Sequence, residues 1–588
     1  MQKICQIIMF LLFTWGMGNG ISAVEVTWNN SSGVDNLWSN ANNWSSGQVP
    51  TTGDTVIINN GGTVDLGLPT LKMQGDIQLS SGSIVANAPE IEYCNNFFIM
   101  ENSFTMTGGT VDINARRFLL GTEGTSVSTI SGGKLTYRHD GGYADGSMRV
   151  GSLWGGAAST DGDVVDATLN IQNNAELNAA RMVLGFGGWN YHVQVKGTVV
   201  VEGTAKLILG ADAIQGETIN NEKPLTEYAL VVGHLSNGTG NIVVKDSGVL
   251  TTQGRISIAQ QQAAATFTLQ DSGTVESVEM WMGRKGRWEQ TGGTASFEKN
   301  FVVNSVGNFA GEHGMVVSDG NLTVNGTLFV GNSGGANASA YVAGGTFKAT
   351  NLTIAGNSNF KELDGKSILT INGAKSQWTV GTFLMSGVSE LLFEFGSGGY
   401  ATIATTNSTL SGNAKVSATF DIDRIQIVQD RYELITATNK MNNSATLYHN
   451  TDYWKIFQDG KNIVLDLEKF YEGIPDFPVS EGVVQLTTPG DTIEFYTDIF
   501  NPQEMQEFLD WLKEAEDVFS AKNGDDGSVI VKFAKELDHF AFDFNMFGRP
   551  VHISSNIIPI PEPATWGMFL MGLAGIYFLR KRRLRKNA

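Results

Sequence analysis

Thr291-Gly-Gly-Thr-Ala, Ser318-Asp-Gly-Asn-Leu, Ala343-Gly-Gly-Thr-Phe and Asn372-Gly-Ala-Lys recur along one stretch, with Gly293, Gly320, Gly345 and Gly373 spaced 27, 25 and 28 residues apart. Each piece is a small-residue turn leading into a short apolar alternation, the pattern of a turn followed by a strand. The same text occurs upstream at Thr107-Gly-Gly-Thr-Val and Ser131-Gly-Gly-Lys-Leu. A second piece is an apolar strand that stops at glycine: Phe118-Leu-Leu-Gly, Met182-Val-Leu-Gly, Leu230-Val-Val-Gly, Met280-Trp-Met-Gly and Leu328-Phe-Val-Gly. A period in the twenties with two or three strands per repeat is too short for sandwich domains. It predicts an all-β chain folded as a right-handed parallel β-helix, a β-solenoid. One coil holds a strand before the Gly-Gly turn, a strand after it, and the apolar strand ending at Gly. Inward Val, Leu, Ile and Phe stack between coils, and Thr, Asn and Ser face solvent.

Outward from the repeats, residues 67–412 are expected to be solenoid. Residues 24–66 are expected to cap it, because Trp28, Trp38 and Trp44 can cover the exposed end of a first coil. A sugar-stacking platform is the functional alternative for these rings. Residues 413–468 read as closing strands and 468–478 as a linker. Residues 479–556 read as a small α/β module. In it Asn501 is an N-cap, Pro502 suits the first helical position and Glu504 completes a capping box. Met505, Phe508, Leu509, Leu512, Ala515 and Phe519 form one apolar face, Asn523-Gly524 stops the helix, and strands follow at 529–533 and 540–544.

The two termini speak for export. Lys3, an apolar run at 4–13 that includes Cys5 and Gln6, and Ser22-Ala23 make a signal peptide at 1–23 with cleavage after Ala23. At the far end, Pro561-Glu562-Pro563 precedes an uncharged apolar stretch, a transmembrane helix at about 564–579. Arg580, Lys581, Arg582, Arg583, Arg585 and Lys586 follow and prefer the cytoplasmic side. Both ends place the body outside the inner membrane.

The triplet, the single short apolar helix and the terminal basic cluster, in that order over residues 559–588, resemble the PEP-CTERM sorting domain of Gram-negative bacteria. The resemblance implies that an exosortase, a membrane-embedded cysteine transpeptidase, reads Pro561, Glu562 and Pro563 and cleaves near them. It also implies a host that makes extracellular polysaccharide. The Trp-rich opening resembles that of autotransporter-like and PEP-CTERM repeat proteins. Tyr432-Glu-Leu-Ile-Thr-Ala resembles the last strand region of other secreted repeat proteins.

Composition narrows the partners. Lys and Arg number 39 against 59 Asp and Glu, a net charge of −20; without Lys3, the six tail basics and Glu562 it is 32 against 58, or −26. Such a surface argues against nucleic acid and anionic lipid. Beyond the leader only Cys94 remains, which excludes an internal disulfide. His139, His192, His234, His313, His449, His539 and His552 are scattered without metal-ligand spacing. Asp161-Gly162-Asp163 with Asp166 offers hard oxygen ligands for calcium, although a full calcium loop needs more of them. Otherwise no cofactor and no metal centre are expected. Arg116, Arg117, Arg149 and Arg181 are the residues that could line one solenoid face, as polysaccharide lyases on this scaffold require.

Two functions follow from these readings. One is a non-enzymatic structural or adhesin-like protein of the cell envelope or extracellular matrix. Its partners are an exosortase, the inner membrane through the tail before processing, and exopolysaccharide. The other is a polysaccharide-active lyase or hydrolase built on a β-helix.

Overall fold

The computed structural model describes residues 24–466 with interruptions, the longest at 211–227, and strands between 490 and 554. Contacts divide the chain into two compact units, Met1–Lys469 and Phe470–Ala588.

The first unit stacks its strands into three faces, every one of them parallel until the last turns. Face 1 runs from Glu25–Thr27 through Thr125–Ile130, Val164–Ile171, Gln194–Val201 and Ala338–Val342 to Thr446–His449. Face 2 begins at Thr63–Asp65 and passes through Lys134–Arg138 and Lys206–Leu209. Face 3 begins at Leu71–Met73 and passes through Arg117–Leu120, Ser147–Ser152, Met182–Phe186 and Tyr228–His234. Farther on, Met315–Val330 runs through all three faces and Gly345–Ala355 through faces 2 and 3. This is the parallel β-solenoid that the glycine spacing predicts. Parallel pairing reaches beyond 67–412 at both ends, because the strands beside the tryptophans and those after Ala414 carry the same ladder bonds and alternation.

Register explains why these residues form coils. On face 1, Ile130, Ile171, Val201, Val244 and Leu269 lie in consecutive register, and all are fully buried. Each contributes on the order of 2 kcal/mol through burial. Gln290 is next in the row, also fully buried, and its Nε2 donates to the Asn321 carbonyl at 3.1 Å.

The glycines that end the apolar strands are corner residues where face 3 bends into face 1. Gly185 has φ +61°, and a Cβ there would sit 2.0 Å from the Thr239 carbonyl oxygen. Across the corner, a Cβ on Gly197 would sit 1.9 Å from the Val150 carbonyl oxygen. Two backbones touch here with no side chain between them, which only glycine permits.

The tryptophans close the first end. Trp44 meets Trp28 and Trp38 edge-on at 4.9 and 4.6 Å, and its Nε1 donates to the Trp38 carbonyl at 2.8 Å. All three are at most 4% exposed, so none offers a ring face to a sugar. Asp35 ties the cap together: its carboxylate accepts from the Leu37 amide and from Asn40 and Asn43. At the other end Asn462–Asp466 pairs antiparallel with Arg431–Asn443 and with Lys455–Asp459.

In the second unit Ser528–Leu537 pairs antiparallel with Gly490–Tyr496 and Val518–Asn523, and Ala541–Met546 forms a hairpin with Arg549–Ser554. The expected α/β module is corrected here. Phe519 and Asn523, assigned to the end of a helix, lie in a strand, because cross-strand pairing with Ser528–Leu537 overrides a helical spacing that ends in Val518-Phe519. Residues 501–517, the body of that helix, lie outside the described residues. So do the leader with Ala23, the helix at about 564–579 and its basic cluster. Among the described residues no helix is long and apolar enough to cross a membrane.

Candidate functional site

Face 3 carries the candidate site on its outer side. In its strands Phe118, Leu120, Met148, Val150, Met182 and Leu184 point into the central core. The alternate residues Arg117, Leu119, Arg149 and Val183 therefore point outward, yet all four are at most 3% exposed. A solenoid face that is buried on both sides is covered by other parts of the chain.

Arginine and aromatic rings alternate there. The Arg149 guanidinium lies 3.8 Å from the Phe186 ring centroid, and its Nε donates to Ser147 Oγ at 3.0 Å. Phe186 stacks on His234, its register partner one coil on, at 4.7 Å and 7°. Farther along, Arg255 sits 4.5 Å from the Trp281 ring and 5.3 Å from Tyr228. Its Nε donates to Glu279 Oε2 at 2.8 Å, and Asn300 donates to the other oxygen at 3.1 Å.

The electrostatics follow from burial. Burial, with Arg149 and Arg181 nearby, pushes His234 down to about 4, so its ring is neutral at physiological pH. Burial raises Tyr137 against the pull of Arg149, Arg117 and Arg181. Burial lowers Arg181, while Tyr137 and Tyr228 act the other way. For Glu279 burial acts upward, but the neighbouring Trp281 and the hydrogen bonds from Arg255 and Asn300 outweigh it and leave the carboxyl below its usual range.

The structure thus brings Arg117, Arg149 and Arg181 to one face, as the sequence suggests; Arg116 lies outside the described residues. It also shows why they are a weak basis for chemistry on a polymer: Arg117 and Arg149 are interior groups. Phe186, His234, Arg255, Glu279 and Trp281 were not legible as members. Their signal was positional: Glu279 and Trp281 belong to the glycine-ending strand motif Met280-Trp-Met-Gly, and Arg255 sits on the strand in register with it, where Ala259 takes the corner at φ +60°.

The remaining candidates do not converge. Asp166 is held by Lys196 at 3.0 Å, so a cation already meets it, while Asp161, Gly162 and Asp163 lie outside the described residues. Among the described residues no three His, Cys, Asp or Glu side chains group around a metal position. His139 is buried. Cys94, His192, His539 and the triplet Pro561, Glu562 and Pro563 lie outside the described residues, as do Arg580, Lys581, Arg582, Arg583, Arg585 and Lys586.

Residues 559–583 match the PEP-CTERM protein-sorting motif. That agrees with the resemblance read from the triplet, the apolar stretch and the basic cluster, and it implies an exosortase as the processing partner. No curated protein and no solved structure matches the chain.

Proposed function

We propose that this chain is an exported, non-enzymatic structural or adhesin-like protein of the cell envelope or extracellular matrix, sorted by an exosortase and associated with exopolysaccharide. The observation that carries the reading is the sorting motif at 559–583. The parallel rod supports it, since a stack of coils supplies length and a large solvated surface without a catalytic centre. The signal peptide delivers the body across the inner membrane. The helix at about 564–579 then holds the chain while the prolines keep 560–563 extended for the processing enzyme. The basic cluster from Arg580 to Lys586 stays on the cytoplasmic side.

Glu562→Ala tests the sorting step. In a host with an exosortase, the variant should be exported but remain unprocessed in the inner membrane, as read by fractionation with an epitope placed before Pro559. Cleavage and release at the parental level would show that the triplet is not the signal read by the processing enzyme.

A further inference from the structure

A second cluster lies on face 1, far along the chain from the arginines and partly accessible to solvent. Met315, Ala340, Leu369 and Leu391 are inward residues in consecutive register, so the strands that hold them belong to four successive coils. On the outer side of those coils lie His313, Tyr341, Asn372 and Glu394, one from each coil and each half-buried. His313 Nδ1 shares a hydrogen bond with Ser339 Oγ, which fixes the ring. That ring stacks on Tyr341 with centroids 5.2 Å apart at 23°. Asn372 lies near enough to the Tyr341 hydroxyl to pull it down against the upward push of burial and of Glu394. Asn372 Nδ2 in turn donates to Glu394 Oε2 at 2.9 Å.

We propose that His313, Tyr341, Asn372 and Glu394 form a binding row for a neutral, hydroxyl-rich saccharide chain. This deepens the reading of exopolysaccharide association and rests on it. Three observations support the ligand class. First, an aromatic pair sits beside an amide and a carboxylate. Rings offer apolar surface to the C–H face of a pyranose, while an amide and a carboxylate together donate to and accept from neighbouring hydroxyls. Second, the groups come one per coil. Coils are about 4.8 Å apart, so the row spans roughly 14 Å and presents repeated contacts to a repeating polymer. Third, charge selects against acidic sugars: Arg287, the cation that acts on His313, is already engaged by Glu289. Glu390, on the same strand as Glu394, is neutralised by Lys366 and by Lys415 at 3.3 Å, whereas the Glu394 carboxylate is met by an amide. A uronate would face that carboxylate on a protein of net charge −20.

The test is calorimetric titration of the purified full-length protein in detergent with a neutral β-linked hexaose and a hexauronate of equal length. The neutral hexaose should bind at least tenfold more tightly. Tyr341→Ala should weaken it tenfold or more, and Glu394→Gln should weaken it severalfold while narrowing the gap to the hexauronate. Tyr448→Ala, an exposed tyrosine that meets Lys415 at 3.9 Å on the same face, should leave binding unaltered. If Tyr341→Ala lowers the melting temperature, Asn372→Ala, which keeps both rings, carries the test. Parental affinity in Tyr341→Ala and Asn372→Ala, or a preference for the hexauronate, overturns this site and leaves polysaccharide association standing. Failure of both saccharides to bind overturns the site and the association together, while the Glu562→Ala experiment still reads sorting alone.

Discussion

The coils between Ser147 and Val244 and those between Gly286 and Ser386 share the same parallel ladder but fill their cross-sections in opposite ways. In the first set the backbones of faces 1 and 3 meet directly at Gly151, Gly185, Gly197 and Gly240. Aliphatic side chains fill what remains, and the large aromatic Phe186 is outside, under Arg149. In the second set aromatic rings fill the interior. Trp288 lies 4.6 Å from Phe267, 5.4 Å from Phe301 and 6.1 Å from Phe297, and Phe347 stacks on Trp378 at 4.2 Å. The lesson is that the hydrogen-bonded ladder sets the spacing between coils, while side-chain volume sets the width within a coil. The two can vary independently along one rod.

The largest expected effect separates the two sets by location. Trp288→Ala removes a fully buried indole and should cost about 4 kcal/mol. Because each coil touches only its neighbours, hydrogen exchange should accelerate around Ala264–Leu269 and Phe301–Val303 while Val164–Ile171 keeps its protection. Equal loss of protection in both places would mean that the rod unfolds as one unit and the distinction has no energetic meaning.

Next in size is a methyl group in the glycine seam. Gly197→Ala places a carbon 1.9 Å from one backbone oxygen and 2.3 Å from the Gly185 nitrogen, and should cost about 3 kcal/mol by urea denaturation. Gly373→Ala is the control from the aromatic set. Its position has φ +75° but no heavy atom within 4 Å of the added carbon, so only the left-handed backbone matters and about 1 kcal/mol is expected. Similar losses at the two sites would remove close backbone approach as the reason for the seam.

The smallest effect reads the outer face of the seam coils. His234 is pushed down to about 4, so between its ordinary value of 6.5 and that point the unfolded chain binds a proton that the folded chain refuses. Stability contributed by the neutral ring is complete above 6.5 and is lost as the pH falls through 4. The slope is at most about 1.4 kcal/mol per pH unit, and the sum is about 2 kcal/mol once the partly solvated ring is allowed for. His234→Phe should flatten that part of the curve. An unchanged curve would show that the arginine layer does not shape the titration of this ring.

Much of this was readable in the residues. Glycines at the ends of apolar strands encode the corners, and small-residue turns encode the passage from face 1 to face 2, because both demands act on backbone conformation within a few residues. What stayed hidden depends on contacts between coils. Arg149 gives no local sign that it is buried under the chain. His313 and Tyr341 are 28 residues apart and meet only because one coil separates them. The strand Val518–Asn523 was masked by an apolar spacing that also suits a helix, and only its partner Ser528–Leu537 decides between the two. The sorting tail was legible for the opposite reason: its meaning lies in a contiguous motif that needs no tertiary partner.

The register of face 1 also bears on how quickly such a chain can fold. Ile130 pairs with Ile171, Ile171 with Val201, Val201 with Val244 and Val244 with Leu269, separations of 41, 30, 43 and 25 residues. The search a strand must make for its partner is therefore fixed by one coil and does not grow with the chain. Closure entropy grows only with the logarithm of loop length, so coils of these sizes cost nearly the same to close anywhere in the stack. Relative contact order falls with each coil added, so a long all-β rod escapes the slow folding of sandwiches built from distant strands. The costly event is then the closure of a first coil, wherever along the stack it nucleates, after which each further coil is laid on a finished template.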